Sequence, residues 1–448
     1  MSLIPLLPDA ERHAPFAYRH GELIDRDTFH AQVLTLAAAL PEGQRVMNLC
    51  ADRYWFAVAL FAAIARNMLT VLPNSAAPEH IAMVAAEQPG VLVLGDQADS
   101  PVSGLPYFRV DVPAPALRPT LNGMPLIAFD QRIACMYTSG STGTPMPHFK
   151  TFGRLRLAIL AGAERVWAVA GAPCSVVGTV PIRHMYGLES SVLLPILAGG
   201  RMSSQIPFFP ADIAASLAEM PAPRLLVITP FHLRKLLEAN IALPDIAVIL
   251  SATAPLSAEL AAQARQQLGC PVLEIYGSTE TGQVATRETD RDSTWHTLQG
   301  ITLELRDDEF WAVGEVYETP QMLNDMVELF SPSLFRLVDR KANMINVAGK
   351  RSSLSFLNAT LTSLPGVVDG VFCVPERNTS GEVERLAAFV VAPGLDRAAI
   401  LAGLRQYVDS VFLPRHVVFI DSLPRDGNGK VLARSLQELI AQHLPKRG

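Results

Sequence analysis

Short apolar runs alternate with stretches of helical pattern along the chain up to about residue 340. Eight of these runs have the length and the Val, Ile and Leu content of buried strands: 45–50, 69–72, 90–94, 133–137, 175–180, 224–229, 246–250 and 272–276. An alternation of strands and helices is typical of a largely parallel sheet that is covered by helices. The pattern therefore predicts an α/β fold.

The clearest strand–helix–strand unit covers residues 246–282. Its first strand leads into a loop of small residues, Ser257 is a predicted N-cap, and an Ala- and Gln-rich helix ends at Gly269 before the second strand. Both loops of the unit follow the carboxyl ends of strands. Because ligands of open α/β sheets bind at that edge, the loops after residues 250 and 276 are candidate binding segments.

The pattern changes near Asp339. Two apolar runs at 368–376 and 386–393 are followed by a helical stretch at 396–408 and by a last helix. This order predicts a small, mobile α+β domain behind a hinge. We therefore expect two domains: a large one over residues 1–340 with mostly parallel sheets, and a small one over residues 341–448.

Composition and charge exclude several classes of protein. The chain has 448 residues, of which 49% are hydrophobic and 18% charged, so ordinary folding is expected. A net charge of −6 argues against a nucleic-acid partner. The longest apolar run, 55–65, is too short to span a membrane. The five cysteines are widely spaced without a CxxC pair, which predicts buried thiols in a cytoplasmic protein.

A loop rich in Gly, Ser and Thr follows the predicted strand at 133–137. In this segment, YTSGSTGTPMPHFK, glycine lets the backbone approach a ligand while N–H groups and hydroxyls donate to phosphate oxygens. A solvent-exposed turn is the alternative for the loop alone. The chain has no GxxxxGK[ST] or GxGxxG nucleotide motif, and no GxSxG motif of hydrolases.

Several further motifs accompany this loop, in a fixed order. They are PIRHMYGL at 181–188, SATAP at 251–255, YGSTE at 276–280, DRKANMINVAGKR at 339–351 and LPRDGNGK at 423–430. Together with YTSGSTGTP at 137–145, this series resembles the adenylate-forming superfamily of acyl- and aryl-CoA ligases, peptide-synthetase adenylation domains and luciferases. The resemblance spans Tyr137 to Lys430.

The resemblance implies a role for each motif. It implies a gate at His184, an α-phosphate contact at Thr279, a magnesium-linked carboxylate at Glu280 and a catalytic lysine at Lys430. The implied ATP-binding residues are Thr138, Ser139, Gly140, Ser141, Thr142, Gly143, Ala252, Thr253, Ala254, Tyr276, Gly277, Asp325 and Arg340, with the last two at the ribose. The implied cofactors are ATP and Mg²⁺, and the implied acceptor is the thiol of CoA or of the phosphopantetheine on an acyl carrier protein.

The chain departs from the family pattern at four positions. Asp325 lacks the usual TGD string, and its assignment rests on its spacing of fifteen residues before Arg340. Asn343 and Asn346 replace the usual hinge aspartate and lysine. Met146 replaces the usual loop lysine. Lys150 is then either a substitute that meets the β- and γ-phosphates or a surface residue.

The acid substrate is predicted from the segment HMYGLES. His184, Tyr186 and Ser190 are similar to the H-x-Y-x-L-x-S arrangement of hydroxycinnamate and hydroxybenzoate ligases, and the FD pair of amino-acid-activating domains is missing. The alternative is that Tyr186 and Ser190 only pack on a helix. The favoured function is an ATP-dependent ligase for a small aromatic acid. A ligase for fatty or short-chain acids and a catalytically weakened nucleotide-binding protein remain open.

Overall fold

The computed structural model describes residues 2–8, 13–73, 75, 77–111, 124–139, 145–340, 344–347, 350–375, 386–425, 431 and 433–444. The chain divides into two compact units. One comprises Met1–Met322 and Leu329–Phe335, and the other comprises Leu323–Glu328 and Arg336–Gly448. The predicted domain boundary after residue 340 stays a prediction.

The first unit contains most of the helices and strands. Its first half consists of β1 (Leu3–Pro5), β2 (Pro15–Arg19), β3 (Glu22–Asp25), α1 (Arg26–Ala39), β4 (Arg45–Asn48), α2 (Arg53–Ala65), β5 (Leu69–Leu72), α3 (Pro78–Ala86), β6 (Leu92–Gly95), β7 (Tyr107–Arg109), β8 (Leu126–Ala128), β9 (Arg132–Ser139) and β10 (Pro145–Thr151). Its second half consists of α4 (Phe152–Ala170), β11 (Ser175–Gly178), α5 (Met185–Gly187), α6 (Leu194–Leu197), β12 (Arg201–Ser203), α7 (Pro210–Glu219), β13 (Arg224–Ile228), α8 (Pro230–Ala239), β14 (Val248–Ser251), α9 (Ala258–Leu268), β15 (Val272–Ser278), β16 (Gly282–Glu288), β17 (Trp295–Thr297), β18 (Thr302–Arg306), β19 (Glu309–Val313) and β20 (Gln321–Met322).

The remaining elements lie in or lead into the second unit. The strands β21 (Asp325–Ser331) and β22 (Leu334–Arg340) run through the boundary between the units. They are followed by β23 (Met344–Val347), β24 (Lys350–Ser353), α10 (Leu354–Ser363), β25 (Asp369–Cys373), β26 (Ala387–Val391), α11 (Arg397–Leu404), β27 (His416–Phe419) and α12 (Ala433–His443). β26 pairs with β25 in antiparallel and with β27 in parallel orientation, and α10 and α11 pack on this small sheet.

Two larger sheets form the first unit. The six-stranded sheet has the order β10-β9-β5-β4-β6-β7, and the eleven-stranded sheet has the order β21-β22-β17-β16-β15-β14-β13-β11-β12-β2-β3. Pairing is parallel from β9 to β7 and from β15 to β2. The predicted α/β fold with mostly parallel sheets is confirmed.

All eight predicted strands are present, and the predicted helix between β14 and β15 has the expected ends. The Ser257 hydroxyl accepts a hydrogen bond from the Leu260 main-chain N–H, and Gly269 ends the helix with a φ of 69°. Almost every residue of α2 is buried, since this helix packs in the main core of the unit. That burial explains its apolar sequence on all sides.

Candidate active site

Two of the predicted nucleotide-binding segments lie at one edge of the eleven-stranded sheet. The parallel neighbours β14 and β15 end at Ser251 and Ser278. The predicted adenine loop, residues 252–254, follows the first strand, and Thr279 and Glu280 follow the second. Because the carboxyl ends of parallel strands share an edge, these two segments lie at the same edge of the sheet.

Thr253 has an unusual backbone conformation in the adenine loop. Its φ is +79°, which is an outlier for a β-branched residue. Its Oγ1 is buried and has no hydrogen-bond partner within the described part of the chain. Such strain costs about 1–3 kcal/mol and is concentrated at ligand-binding positions. A hydroxyl and backbone held in this way fit a bound nucleotide.

Tyr276 and Gly277 shape the end of β15. The Tyr276 ring packs against Trp295 and Phe335, with ring centroids 5.7 and 5.6 Å apart. A Cβ atom on Gly277 would lie 2.1 Å from the main-chain oxygen of Gly282 on the neighbouring strand. Only glycine therefore fits at this position, because β16 turns back at once against β15.

The turn between β15 and β16 is closed by its own hydroxyls. Ser278 N donates to Thr281 Oγ1 at 3.0 Å, and Thr281 N donates to Ser278 Oγ at 3.2 Å. The Thr281 hydroxyl also donates to the oxygen of Gly282 at 2.8 Å. This closed turn fixes the backbone that carries Thr279 and Glu280.

Glu280 lies between two basic side chains of β10. The His148 Nε2 is 3.7 Å from Glu280 Oε1, and Lys150 Nζ donates to the main-chain oxygen of Glu280 at 2.9 Å. Burial acts to raise the pKa of Glu280, but a hydrogen bond from Ser278 and the charges of His148 and Lys150 outweigh it and lower the pKa. The carboxyl is therefore ionised at neutral pH. Lys150 is half-buried and bonded to this turn.

The Glu280 carboxylate fits the predicted magnesium role. About a third of its side chain is exposed (32%), so a cation can reach it. Mg²⁺ in nucleotide sites is commonly held by one or two carboxylates together with substrate phosphates. The described residues contain no cluster of three or more His, Cys, Asp or Glu side chains that could hold a metal ion.

A buried carboxyl group that sequence reasoning missed lies behind this turn. Glu189 is only 4% exposed and belongs to a π-helical turn, Leu188–Leu193, a feature often found at functional sites. Burial raises the pKa of Glu189 to about 7, against the opposing effects of the Lys150 charge and a main-chain hydrogen bond from Gln283. Burial likewise lowers the pKa of Lys150, while Glu189 and Glu280 act to raise it.

The predicted acid-binding residues lie around the same helical turn. His184 is partly buried and immediately precedes α5, and Ser190 is buried in the π-helical turn. The Tyr186 hydroxyl shares its one hydrogen between the main-chain oxygens of Leu250, at 2.7 Å, and Ile228, at 3.2 Å. Tyr186 thus joins this segment to the ends of β13 and β14. The roles of these three residues toward an acid stay predictions.

The other predicted residues cannot be placed against this cluster. Gly140, Ser141, Thr142, Gly143, Asn343 and Lys430 lie outside the described residues. Thr138 and Ser139 end β9, opposite the start of β10. Asp325 begins β21 and Arg340 ends β22, both within the second unit. Their assignments to ATP stay predictions.

Comparison with family models shows to which protein family the chain belongs. Residues 13–317 match the family model described as AMP-binding enzyme, and residues 357–430 match the AMP-binding enzyme C-terminal domain. The chain belongs to the AMP-binding enzyme family. The adenylate-forming family predicted from the motifs is confirmed, and so is the prediction that the chain is an enzyme.

Curated relatives of this AMP-binding enzyme include three CoA ligases or synthetases. A 4-coumarate–CoA ligase of Cereibacter sphaeroides is 29% identical over 66% of this chain and 69% of that protein, and a 2-succinylbenzoate–CoA ligase of Geobacillus kaustophilus is 26% identical over 68% and 69%. An Emericella nidulans protein named as an acyl-coenzyme A synthetase is 25% identical over 68% of this chain. That match spans 63% of the relative, less than two thirds of its length.

Solved structures share the fold of this AMP-binding enzyme over nearly its whole length. The o-succinylbenzoate CoA synthetase MenE of Bacillus subtilis, in complex with the acyl-adenylate intermediate OSB-AMP, superposes with a TM-score of 0.80 at 19% identity and covers 98% of this chain and 99% of its own. ATP-bound MatB of Rhodopseudomonas palustris superposes with a TM-score of 0.77 at 19% identity, covering 96% of each chain. Among the helices that the structure describes, none has the length and apolar character needed to cross a bilayer.

Proposed function

We propose that this AMP-binding enzyme activates a small aromatic carboxylic acid with ATP and then transfers the acyl group to the thiol of coenzyme A. The observation that carries the proposal is the fixed turn after β15. It presents Thr279 and the ionised Glu280 at the same sheet edge as the strained Thr253. The relatives named as 4-coumarate–CoA and 2-succinylbenzoate–CoA ligases support an aromatic substrate.

In the first step, the acid carboxylate attacks the α-phosphorus of ATP and the bond to pyrophosphate breaks. Two anions must approach, so positioning and charge stabilisation account for most of the rate. Thr279 donates to the α-phosphate, and Glu280 would hold a Mg²⁺ ion, which would supply positive charge to the phosphate oxygens. Lys430 bridges the acid and the α-phosphate, while Asp325 and Arg340 bind the ribose hydroxyls. The product is an acyl-adenylate.

The acid lies beside the segment from His184 to Ser190. The Tyr186 hydroxyl is already bonded to two main-chain oxygens, so its ring, rather than its hydroxyl, contributes a wall to the pocket. Met185 and Leu188 are buried in the adjoining core and make the surroundings apolar. An apolar cleft with few polar groups suits an aromatic acid.

In the second step, a thiol attacks the acyl carbon and AMP leaves. Residues 341–448 act as the mobile domain that withdraws Lys430 and opens a path for the thiol, with the pivot near Asn343. Coenzyme A is the proposed acceptor because the relatives named above are CoA ligases, and carrier-bound phosphopantetheine is the competing acceptor. All five cysteines are buried free thiols, which supports a reducing, cytoplasmic location.

The test is product analysis by mass spectrometry. The enzyme is incubated with ATP, Mg²⁺, a hydroxybenzoate or hydroxycinnamate, and either CoA or a phosphopantetheinylated carrier protein. We expect AMP, pyrophosphate and the aryl-CoA thioester in equal amounts. A thioester formed only on the carrier protein would show that coenzyme A is not the acceptor. A thioester formed only with fatty acids would show that the substrate is not an aromatic acid.

A further inference from the structure

A buried ion pair joins two neighbouring strands beside the predicted adenine-binding residues. Glu274 of β15 and Arg287 of β16 lie opposite each other in the strand register, and Glu274 is only 3% exposed. The Arg287 Nε donates to Glu274 Oε2 at 2.9 Å, and Arg287 Nη2 lies 2.8 Å from the same oxygen. The Thr289 hydroxyl also donates to this oxygen, at 2.7 Å. Because loss of Arg287 would leave the Glu274 charge buried without its cation, the carboxylate requires this partner.

The other oxygen of Glu274 holds the end of the predicted adenine loop. The Leu256 main-chain N–H donates to Glu274 Oε1 at 3.0 Å. Leu256 follows the loop 252–254 by two positions, and Thr253 within that loop has the strained φ of +79°. Hydrogen bonds to an ionised acceptor are roughly twice as strong as those between neutral groups. Glu274 is therefore a strong anchor for the backbone of this loop.

Arg287 extends the same network to Tyr276. Its guanidinium lies over the Trp295 ring, 4.5 Å from the ring centroid, and the Trp295 ring packs against Tyr276. Tyr276 is two positions after Glu274 in β15, so the two side chains leave the strand on the same face. Ring–ring and cation–ring contacts have preferred geometries. The position of Arg287 therefore constrains Trp295 and, through it, Tyr276.

We infer that Glu274 and Arg287 are positioning residues that hold the adenine loop and Tyr276 in a fixed relation for binding of the adenine base. Glu274 acts through the Leu256 backbone, and Arg287 acts through Trp295. Without the pair, the loop would lose its anchor and Trp295 would lose its cation, so both segments would be free to shift. The inference rests on the proposed function, since it takes these two segments as the adenine site.

The experiment measures the Kd for AMP by titration calorimetry in wild type, Glu274→Gln, Arg287→Met and the double variant. Arg265→Met is the matched control, because Arg265 forms its ion pairs with Glu288 and Asp290. We expect each single variant to raise the Kd for AMP by about tenfold, the effect of losing one hydrogen bond to a charged group. The control should stay within about twofold of wild type. The double variant should lose clearly less affinity than the product of the two single effects.

Exchange kinetics separate positioning from general damage to the fold. A variant that is only less stable contains fewer active molecules, which lowers kcat and leaves the KM for ATP unchanged. In acid-dependent ATP–pyrophosphate exchange, we expect Glu274→Gln and Arg287→Met to raise the KM for ATP by about tenfold, with the KM for the acid within about twofold of wild type.

Two results would overturn the inference. One is a Kd for AMP and a KM for ATP that both stay at the wild-type values in folded Glu274→Gln and Arg287→Met, which would leave the pair with a role in stability alone. The other is a fully multiplicative loss of AMP affinity in the double variant, which would show that the two residues act independently.

Thr289→Val keeps the test decisive if the variants of the pair do not fold. It removes only the hydroxyl that bonds to Glu274, and it should weaken AMP binding by about threefold. Unchanged binding of AMP to this variant would overturn the inference. Calorimetry with AMP needs no turnover, so a wild-type enzyme that shows no exchange with any acid would refute the proposed function while the binding data still decide the inference.

Discussion

Replacing Glu189 with Gln should change how the stability of the first unit depends on pH. Burial raises the pKa of Glu189 from 4.5 to about 7 in the folded protein. At about 1.36 kcal/mol for each pH unit, the difference of about 2.5 pH units corresponds to about 3 kcal/mol. The folded state binds the proton more tightly than the unfolded state. Its stability from this group is therefore fully present below pH 4.5 and is lost as the pH rises through about 7.

Glutamine has nearly the same shape as glutamate and cannot ionise, so the variant does not lose this stability as the pH rises. We expect the free energy of unfolding of Glu189→Gln, measured relative to wild type, to increase by about 3 kcal/mol between pH 4.5 and pH 8. Urea unfolding followed by tryptophan fluorescence is the suitable assay, because all four tryptophans lie at residues 55, 167, 295 and 311, within the first unit. The surface variant Glu238→Gln is the control. Parallel curves for wild type and Glu189→Gln across this range would refute the account of a buried, destabilised carboxylate.

Three further substitutions test other parts of the site. Gly282→Ala should reduce the free energy of unfolding by about 1–2 kcal/mol through its left-handed backbone and by more through the contact with Glu189, and it should slow ATP–pyrophosphate exchange. Gly269→Ala is the control, because Gly269 has a φ of +69° and open space around its Cβ position. Urea unfolding of this control should show only the backbone cost. Equal effects of the two alanines on exchange would argue against the Glu189 contact. Tyr186→Phe should reduce the free energy of unfolding by about 1–2 kcal/mol, because the hydroxyl no longer bonds to Leu250 and Ile228. Steady-state kinetics should give a KM for the acid within about twofold of wild type. An unchanged free energy of unfolding would contradict this hydrogen bonding. Lys430→Ala should slow adenylation by at least about 100-fold with ATP binding retained in calorimetry, and a wild-type rate would remove Lys430 from the catalytic residues.

The strands and the sheet edge could be predicted because their signals are local. Strands are indicated by runs rich in Val and Ile, and the helix ends are indicated by the caps Ser257 and Gly269. Each of these signals depends only on residues close together in the sequence. β10 was missed because Pro145 and Pro147 disfavour a strand. The structure accommodates them because β10 is the edge strand of its sheet.

The positions of Lys150 and Glu189 around the turn after β15 could not be predicted, because they depend on tertiary contacts. In the sequence, Glu189 follows an apolar segment with no sign that it is buried. Lys150 is 39 positions earlier in the chain than Glu189, on a strand that pattern analysis did not find. The resemblance to the adenylate-forming family left the role of Lys150 open, because the family motifs do not specify a residue at that position. Only the folded arrangement of β10 against the turn after β15 brings Lys150, Glu189 and Glu280 together.

The most direct test of the central claim is acid-dependent ATP–pyrophosphate exchange with Mg²⁺, measured across hydroxybenzoates, hydroxycinnamates, fatty acids, short-chain acids and amino acids. The account predicts exchange with aromatic acids and little with the others. Exchange with fatty or short-chain acids alone would contradict the aromatic assignment. No exchange with any acid, despite measurable ATP binding, would contradict the ligase function and favour a nucleotide-binding protein that has lost turnover.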